Sequence, residues 1–121
     1  MRIFKLLPGG KCKEDKENRS TLIFEPLMQG VLIPSYLIYF FEAKCGRVYI
    51  RTKCEEYPAN TTIGKLEDIV AADFIRCHRS YIANKEMVEF YDKGNNELIM
   101  RDGLRVPVSR TYLKQIKAIW N

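Results

Sequence analysis

The feature that most constrains the fold of this chain is a series of short β-prone runs separated by strong turn signals. Val, Ile, Thr, Tyr and Phe favour strands. In the first half, runs rich in these residues occur at 21–25, 30–33, 37–42 and 47–53. The short segment 43–46 predicts a hairpin between the last two runs. Pro58 restricts a further strand at 56–60 to a sheet edge, because proline cannot donate a ladder hydrogen bond.

The second half of the chain predicts an antiparallel meander. A strand at 74–77 is expected to lead into a loop at 78–84. Three more strands are predicted at 87–91, 97–101 and 104–108. The Lys-Gly-Asn-Asn segment at 93–96 and the Asp-Gly pair at 102–103 are typical turn sequences that separate these strands. The chain is therefore predicted to be mainly β.

Two helices are predicted from apolar spacing and capping residues. Thr61 or Thr62 is expected to cap a helix that ends by Asp73. Its apolar positions are Ile63, Leu66, Ile69 and Val70. Ser109 is expected to cap a last helix at 110–120. The buried face of that helix is predicted to hold Leu113, Ile116 and Trp120.

The domain organisation predicted from these patterns is a charged N-terminal strip at 1–20 followed by one domain at 21–121. In the strip, 2–7 can form an edge strand, and the charge-mixed stretch after it is typical of a mobile loop. A chain of 121 residues can bury one ordinary core but not two.

The charge of the chain indicates a polyanionic partner. The net charge is +5 and the isoelectric point is near 9.1, which favours nucleic acid or an acidic membrane surface. The uncharged run 31–41 has eleven residues and contains Pro34. It is much shorter than the roughly 20 residues needed to cross a bilayer, so no membrane span is expected.

The cysteine and histidine pattern favours neither a metal site nor an enzyme. No CxxC pair occurs, and His78 is the single histidine, so no metal or other cofactor is predicted. With no secretory signal, reduced thiols and a cytoplasmic location are expected. Cys77 and His78 are neighbours on a predicted strand and point to opposite faces, which excludes a thiol–imidazole pair. No catalytic residue is predicted.

Two blocks combine arginine with small polar residues where a strand ends. FIRCHRSYIAN, 74–84, contains Arg79, and RVPVSRTYL, 105–113, contains Arg110. An arginine at such a junction can bind a phosphate or donate two hydrogen bonds to guanine. The alternative for any one of these charges is an ordinary solvated surface. For His78 the alternative to a ligand or base is a packed, hydrogen-bonded side chain.

Five segments in order resemble the LytTR family of bacterial DNA-binding domains, from about residue 21 to the end. They are LIYFFEA, RVYIRT, TTIGKLEDIV, FIRCHRSYIAN and RVPVSRTYLKQI. The resemblance implies an elongated fold of three small antiparallel sheets with a short helix and a C-terminal helix. It also implies that loops, rather than a recognition helix, enter the DNA grooves.

Positions carried over from the family give the candidate DNA-binding residues. The loop at 43–47 and the segment 105–110 would read major grooves, and the loop at 78–79 would lie over the backbone or minor groove between them. The candidates are Lys44, Arg47, His78, Arg79, Asn84, Arg105, Ser109, Arg110 and Lys114.

The function implied by the resemblance is a sequence-specific, DNA-binding transcriptional regulator of a tandem-repeat promoter site. Its partners would be double-stranded DNA, a second copy as a homodimer or a tandem neighbour, and a regulatory protein. The alternative is a protein-interaction module that keeps the fold without binding DNA. Salt-dependent affinity for duplex DNA distinguishes the two.

Overall fold

A computed structural model of the chain describes residues 33–70 and 72–120. The strands and helices in these residues are β1 (Ile38–Lys44), β2 (Arg47–Thr52), β3 (Glu56–Ala59), α1 (Ile63–Ile69), β4 (Phe74–His78), β5 (Tyr81–Asn84), β6 (Val88–Asp92), β7 (Glu97–Met100), β8 (Arg105–Pro107) and α2 (Leu113–Trp120). The predicted strands at 2–7 and 21–25, the loop between them and most of 30–33 lie outside the described residues.

The strands of the described residues form two antiparallel sheets. One has five strands in the order β3-β2-β1-β5-β4, and the other has three in the order β6-β7-β8. The prediction of a mainly β chain is confirmed, and Pro58 lies in the edge strand β3 as expected. The prediction of three small sheets does not match this part of the chain. Phe41 of β1 pairs with Ile50 of β2 on one side and with Ile82 of β5 on the other, which merges two hairpins into one sheet.

The five-stranded sheet is buried on both faces. On one face Phe41, Ile50 and Ile82 pack with Leu66 of α1. On the other face, residues of β1, β4 and β5 share a core with the three-stranded sheet and α2. The fully buried members of that second core are Cys77, Ala83, Leu98, Val106 and Ile116. The two sheets therefore form one packed unit.

A bulge in β1 distributes its large side chains between the two cores. The register of β1 against β2 shifts between Ile38 and Phe40. Ile38 and Phe41 consequently join the core beneath α1, whereas Tyr39 and Phe40 join the core shared by the two sheets. The Tyr39 hydroxyl also donates to the Asp102 carboxylate, which links β1 to the turn before β8.

The segment 78–84, predicted as a loop, is mostly strand. Only Arg79 and Ser80 form a turn, and β5 follows it immediately. Ile82 and Ala83 are fully buried on opposite faces of the sheet. A central strand covered on both faces lacks the alternation of apolar and polar residues that identifies a strand with one solvated face. That property is the physical reason for the error.

The two helices begin differently. Thr62 caps α1 as predicted, because its hydroxyl accepts a hydrogen bond from the Lys65 amide at 3.2 Å. Of the apolar positions in this helix, Leu66 is fully buried, whereas Ile69 is exposed. A 3-10 turn, Arg110–Tyr112, precedes α2. Ile116 is fully buried, and Leu113 and Trp120 pack against the same core, as the spacing predicted.

The described cysteines differ in oxidation state. Cys45 is an exposed free thiol and Cys77 a buried one, whereas Cys54 is disulfide-bonded. The prediction of reduced thiols is therefore wrong for Cys54. The spacing of the cysteines and the expected cellular compartment do not determine which thiols the fold brings together.

Asn84, a predicted DNA contact, is instead part of the interior. Its side chain is 2% exposed. Its Nδ2 donates to the Ile38 carbonyl at 2.8 Å, and its Oδ1 accepts from the Glu86 amide at 2.9 Å. The candidate role is corrected accordingly, because a buried amide that already binds two backbone groups cannot reach a nucleic acid.

Replacing Asn84 with Ala is expected to lower the free energy of unfolding by about 2–3 kcal/mol, because the buried Ile38 carbonyl and the partly buried Glu86 amide lose their partner. Urea unfolding measures the change. Asn60→Ala is the matched control: Asn60 is exposed, so its replacement should cost less than about 0.5 kcal/mol. Equal effects of the two substitutions would contradict the structural role of Asn84.

Candidate nucleic-acid interface

Three segments that are distant in sequence meet at one end of the five-stranded sheet. The Ala43 amide donates to the Ser80 carbonyl at 2.8 Å, which places the β1–β2 turn beside the β4–β5 turn. The Ser109 amide donates to the Cys77 carbonyl at 3.0 Å, which attaches the segment before α2 to the end of β4. The structure therefore brings together the three segments in which the sequence predicted DNA contacts.

The β1–β2 turn is a tight hairpin turn. Its two central residues, Cys45 and Gly46, have φ of 48° and 75°, and positive φ at both positions suits the twist of the flanking strands. Lys44 and Arg47 are the pair that closes the turn. A cleft of about 430 Å³ lies between this turn and Thr62 at the start of α1. The turn is therefore open to solvent on that side.

Lys44 and Arg47 differ in how much of their charge is available. The Lys44 Nζ lies 2.9 Å from a Glu56 carboxylate oxygen and 3.8 Å from Glu42. The hydrogen bond to Glu56 raises the pKa of Lys44. Arg47 is exposed, and within the described residues its side chain has no hydrogen bond or ion pair. Arg47 is thus the freer charge of the two.

His78 is a packed, hydrogen-bonded histidine in the β4–β5 turn. Its Nδ1 accepts from the Ser80 amide at 3.0 Å, and its ring stands edge-on to Tyr81 at 5.4 Å between centroids. Burial lowers the pKa of His78, and the charges of Arg79 and Arg76 lower it further. A neutral imidazole that accepts at Nδ1 carries its proton on Nε2, so His78 can donate one hydrogen bond outward.

Arg79 is the exposed cation of this turn. Its side chain makes no hydrogen bond or ion pair with any residue that the structure describes. Behind it, the Tyr81 hydroxyl donates to the Glu42 carboxylate at 2.7 Å across β1 and β5. Burial, followed by this hydrogen bond, raises the pKa of Tyr81. The protonated Tyr81 hydroxyl and the Glu42 carboxylate thus link β5 to β1 beneath Arg79.

Ser109 does not cap the last helix with its side chain, so that prediction is wrong. Its hydroxyl makes no capping hydrogen bond, and the contacts it provides come from the backbone. The Ser109 amide binds Cys77, and its carbonyl accepts from the Tyr112 amide at 3.0 Å. Arg110 and Lys114 follow on the exposed side, without a polar partner among the described residues.

Arg105 is less available than the sequence indicated. Its guanidinium lies 2.7 Å from Glu97 on the neighbouring strand β7 and 3.9 Å from Asp92 at the end of β6. The side chain remains half exposed, and its charge is compensated. The surface that offers uncompensated charge therefore consists of Arg47, Arg79, Arg110 and Lys114. We call these four residues the basic surface.

One residue of this region was not a sequence candidate. Arg76 lies in β4 between Ile75 and Cys77, and its guanidinium hydrogen-bonds to the carbonyls of the β4–β5 turn. A charged residue between two apolar strand residues was the available signal. That signal is weak, because the sequence does not distinguish an enclosed arginine from a solvated one.

The described residues include a buried thiol at Cys77. Burial raises the pKa of Cys77 to about 12, so the thiol stays protonated at neutral pH and is a poor nucleophile. Within residues 33–70 and 72–120, no three His, Cys, Asp or Glu side chains cluster as metal ligands would. The same residues include no helix long and apolar enough to cross a membrane.

Comparison with known proteins gives one consistent result. The family model described as LytTr DNA-binding domain matches residues 29–121. The sensory transduction protein LytT of Bacillus subtilis is 33% identical over 93 residues, which cover 74% of this chain and 39% of LytT. The transcriptional regulatory protein BtsR of Escherichia coli K12 is 33% identical over 108 residues, or 84% of this chain and 44% of BtsR. The chain thus spans less than half of either regulator.

The fold comparison agrees. A solved LytTr DNA-binding domain from Bacillus cereus superposes with a TM-score of 0.69 and 25% identity. The match covers 83% of this chain and 96% of that domain.

The stability of the chain is expected to depend on pH through His78. The pKa of His78 is lowered from about 6.5, so the folded state favours the neutral form. The stability contributed by the Ser80–His78 hydrogen bond is then complete above about 6.5 and is lost as the pH falls through the folded-state pKa. Between pH about 7.5 and about 5, wild type should lose more thermal stability than His78→Gln, which has no imidazole to protonate. Parallel losses in the two proteins would count against this.

Proposed function

The chain belongs to the LytTr family of DNA-binding domains, and from that premise we propose that it is a sequence-specific, DNA-binding transcriptional regulator. The observation that carries the proposal is the convergence of three turn segments at one end of the five-stranded sheet, where the basic surface is exposed. Turns on a rigid sheet can enter grooves while the scaffold stays fixed. The names of LytT and BtsR, a sensory transduction protein and a transcriptional regulatory protein, support a regulatory role.

The roles proposed for individual residues follow from their exposure and chemistry. Arg110 reads a base, because a planar guanidinium can donate to O6 and N7 of one guanine. Lys114 and Arg79 bind phosphates as free surface cations. Arg47 approaches a groove on the β1–β2 turn, and His78 offers its Nε2 donor from the next turn.

Three further candidates have reduced or changed roles. Lys44 and Arg105 are each paired with a carboxylate in the structure. Each can bind a DNA phosphate only after that ion pair breaks. Ser109 positions Arg110 through its backbone. In this proposal Asn84 makes no DNA contact.

The proposed partners are duplex DNA and a second copy of the chain, bound beside the first or as a homodimer. A regulatory protein partner is also proposed, since the regulators that the chain resembles are about twice its length. The proposed location is the bacterial cytoplasm, where the DNA lies.

Selection from a random duplex library with the full 121-residue chain tests the function directly. The expected result is an enriched motif bound with an affinity that falls steeply as salt rises. Recovery of no motif, together with salt-independent binding, would favour a protein-interaction module of the same fold.

Arg110→Ala is expected to relax base preference at one position of the selected site, because bidentate contact with guanine discriminates by about 1–3 kcal/mol. Arg110→Lys should restore charge but not full selectivity. Lys114→Ala is the comparison: it should weaken all sequences alike and reduce the slope of log affinity against log salt by about 0.9. Competition binding with all four bases at each position measures both. A uniform loss with Arg110→Ala would make Arg110 a phosphate contact.

Two copies are expected to bind tandem half-sites on one face of the duplex, because one small module covers limited groove surface. Half-site centres should be about 10–10.5 base pairs apart or a multiple of that spacing. Inserting about half a helical turn should abolish joint binding, whereas inserting a full turn should largely preserve it. Gel-shift titration of the spacing series reports the result, and indifference to spacing would show that single copies bind independently.

A further inference from the structure

We propose that Arg76 is a positioning residue of the DNA-binding surface: it sets the placement of Arg79 relative to Arg110 without touching DNA. This role rests on the proposed function and deepens it. The Arg76 side chain is only 12% exposed. It is therefore too enclosed to serve as a free phosphate contact, unlike the four exposed cations of the basic surface.

The β4–β5 turn requires support from outside its own backbone. Arg79 and Ser80 make a two-residue connection, yet neither residue has positive φ. Two-residue hairpin turns without positive φ do not match the twist of the strands that they join. The register of β4 against β5 also shifts between Arg76 and His78. The conformation of this turn thus depends on contacts made to it.

Besides the Ala43–Ser80 and Ser80–His78 hydrogen bonds, Arg76 makes two such contacts with two nitrogens of one rigid group. Its Nε donates to the His78 carbonyl at 3.0 Å, and its Nη2 donates to the Arg79 carbonyl at 2.8 Å. The donors of a guanidinium are held in a fixed plane, so the two carbonyls are oriented together. A lysine ammonium, which is a single point on a flexible stem, cannot reproduce that geometry.

The same guanidinium reaches the segment that carries Arg110. Its Cζ lies 5.6 Å from the centre of the Tyr112 ring, a cation–π contact with the 3-10 turn that begins at Arg110. The Arg76 carbonyl also accepts from Gln115 Nε2 at 3.2 Å. One residue therefore touches both the turn of Arg79 and the turn of Arg110.

An ion pair on α1 completes the arrangement. Nη1 of Arg76 binds the Glu67 carboxylate, which balances its charge and orients the guanidinium. This pairing separates two explanations of any effect on DNA binding. A simple loss of negative charge at Glu67 should strengthen binding to a polyanion, whereas loss of the support for Arg76 should weaken it.

A double-mutant cycle tests the positioning role, using the full chain and the duplex that wild type selects from a random library. Arg76→Lys should lower affinity about tenfold in the wild-type background, and only about threefold once Arg79 is Ala, because residues that act together are non-additive. Equal losses in the two backgrounds would overturn the role. Arg51→Lys is the matched control: the Arg51 Nε also donates to a backbone carbonyl, that of Thr52 at 3.0 Å, but at the other end of β2. Its affinity should not change.

A second pair of variants keeps Arg76 intact in case Arg76→Lys fails to fold. Glu67→Gln should weaken DNA binding, whereas Asp68→Asn, with the same charge change on the next exposed residue of α1, should leave it unchanged or slightly tighter. Equal tightening by the two substitutions would overturn the positioning role.

DNA binding by the wild-type chain distinguishes a failure of the proposed function from a failure of the proposed role of Arg76. If wild type itself shows no salt-dependent DNA binding, the proposed function fails and the role of Arg76 fails with it. If wild type binds, but the cycle is additive and Glu67→Gln tightens binding, only the role of Arg76 is wrong.

Discussion

The core shared by the two sheets is the constraint on which the rest of the structure depends. Cys77 and Ala83 of the larger sheet, Leu98 of the smaller one and Ile116 of α2 are fully buried in it. Because that packing is dense, it fixes where the C-terminal segment lies against β4. The Ser109–Cys77 hydrogen bond joins the segment to β4 at that point. Core packing therefore fixes the position of the segment that carries Arg110, and in the proposed role Arg76 places Arg79 relative to that segment. No contact between Arg79 and Arg110 is needed.

Charge is distributed on this scaffold in two classes. Arg47, Arg79 and Arg110 are exposed without carboxylate partners among the described residues, whereas Lys44 and Arg105 are paired. Exposed ion pairs contribute only about 0–1 kcal/mol, so a phosphate can displace Glu56 or Glu97 at small cost. The pairs hold the two side chains in place and compensate their charge. The net charge of +5 thus overstates the charge that is available to a partner.

The sequence predicts those elements whose determinants are local. The Pro58 edge strand, the Thr62 cap and the turns at 93–96 and 102–103 follow from residue types at those positions, and the structure contains them. The errors concern features set by distant residues. The burial of Asn84 depends on Ile38, and the strand at β5 depends on pairing with β1. Ser109 had the residue type of a helix cap, but the chain enters α2 through a 3-10 turn and the hydroxyl makes no cap.

Arg76 and Arg79 show why a binding site is harder to predict than a strand. They are three residues apart in one block, with the same side chain and a similar local setting. One lies within a strand and is enclosed by Glu67 and Tyr112, and the other lies in the turn and is free. The turn lacks positive φ, and the enclosed arginine binds the carbonyls of His78 and Arg79 within it. If Arg76 has the role proposed above, DNA recognition depends on exposed side chains together with enclosed ones that do not touch DNA. A change at Glu67 or Tyr112 would then alter binding while every DNA-contacting residue stays the same.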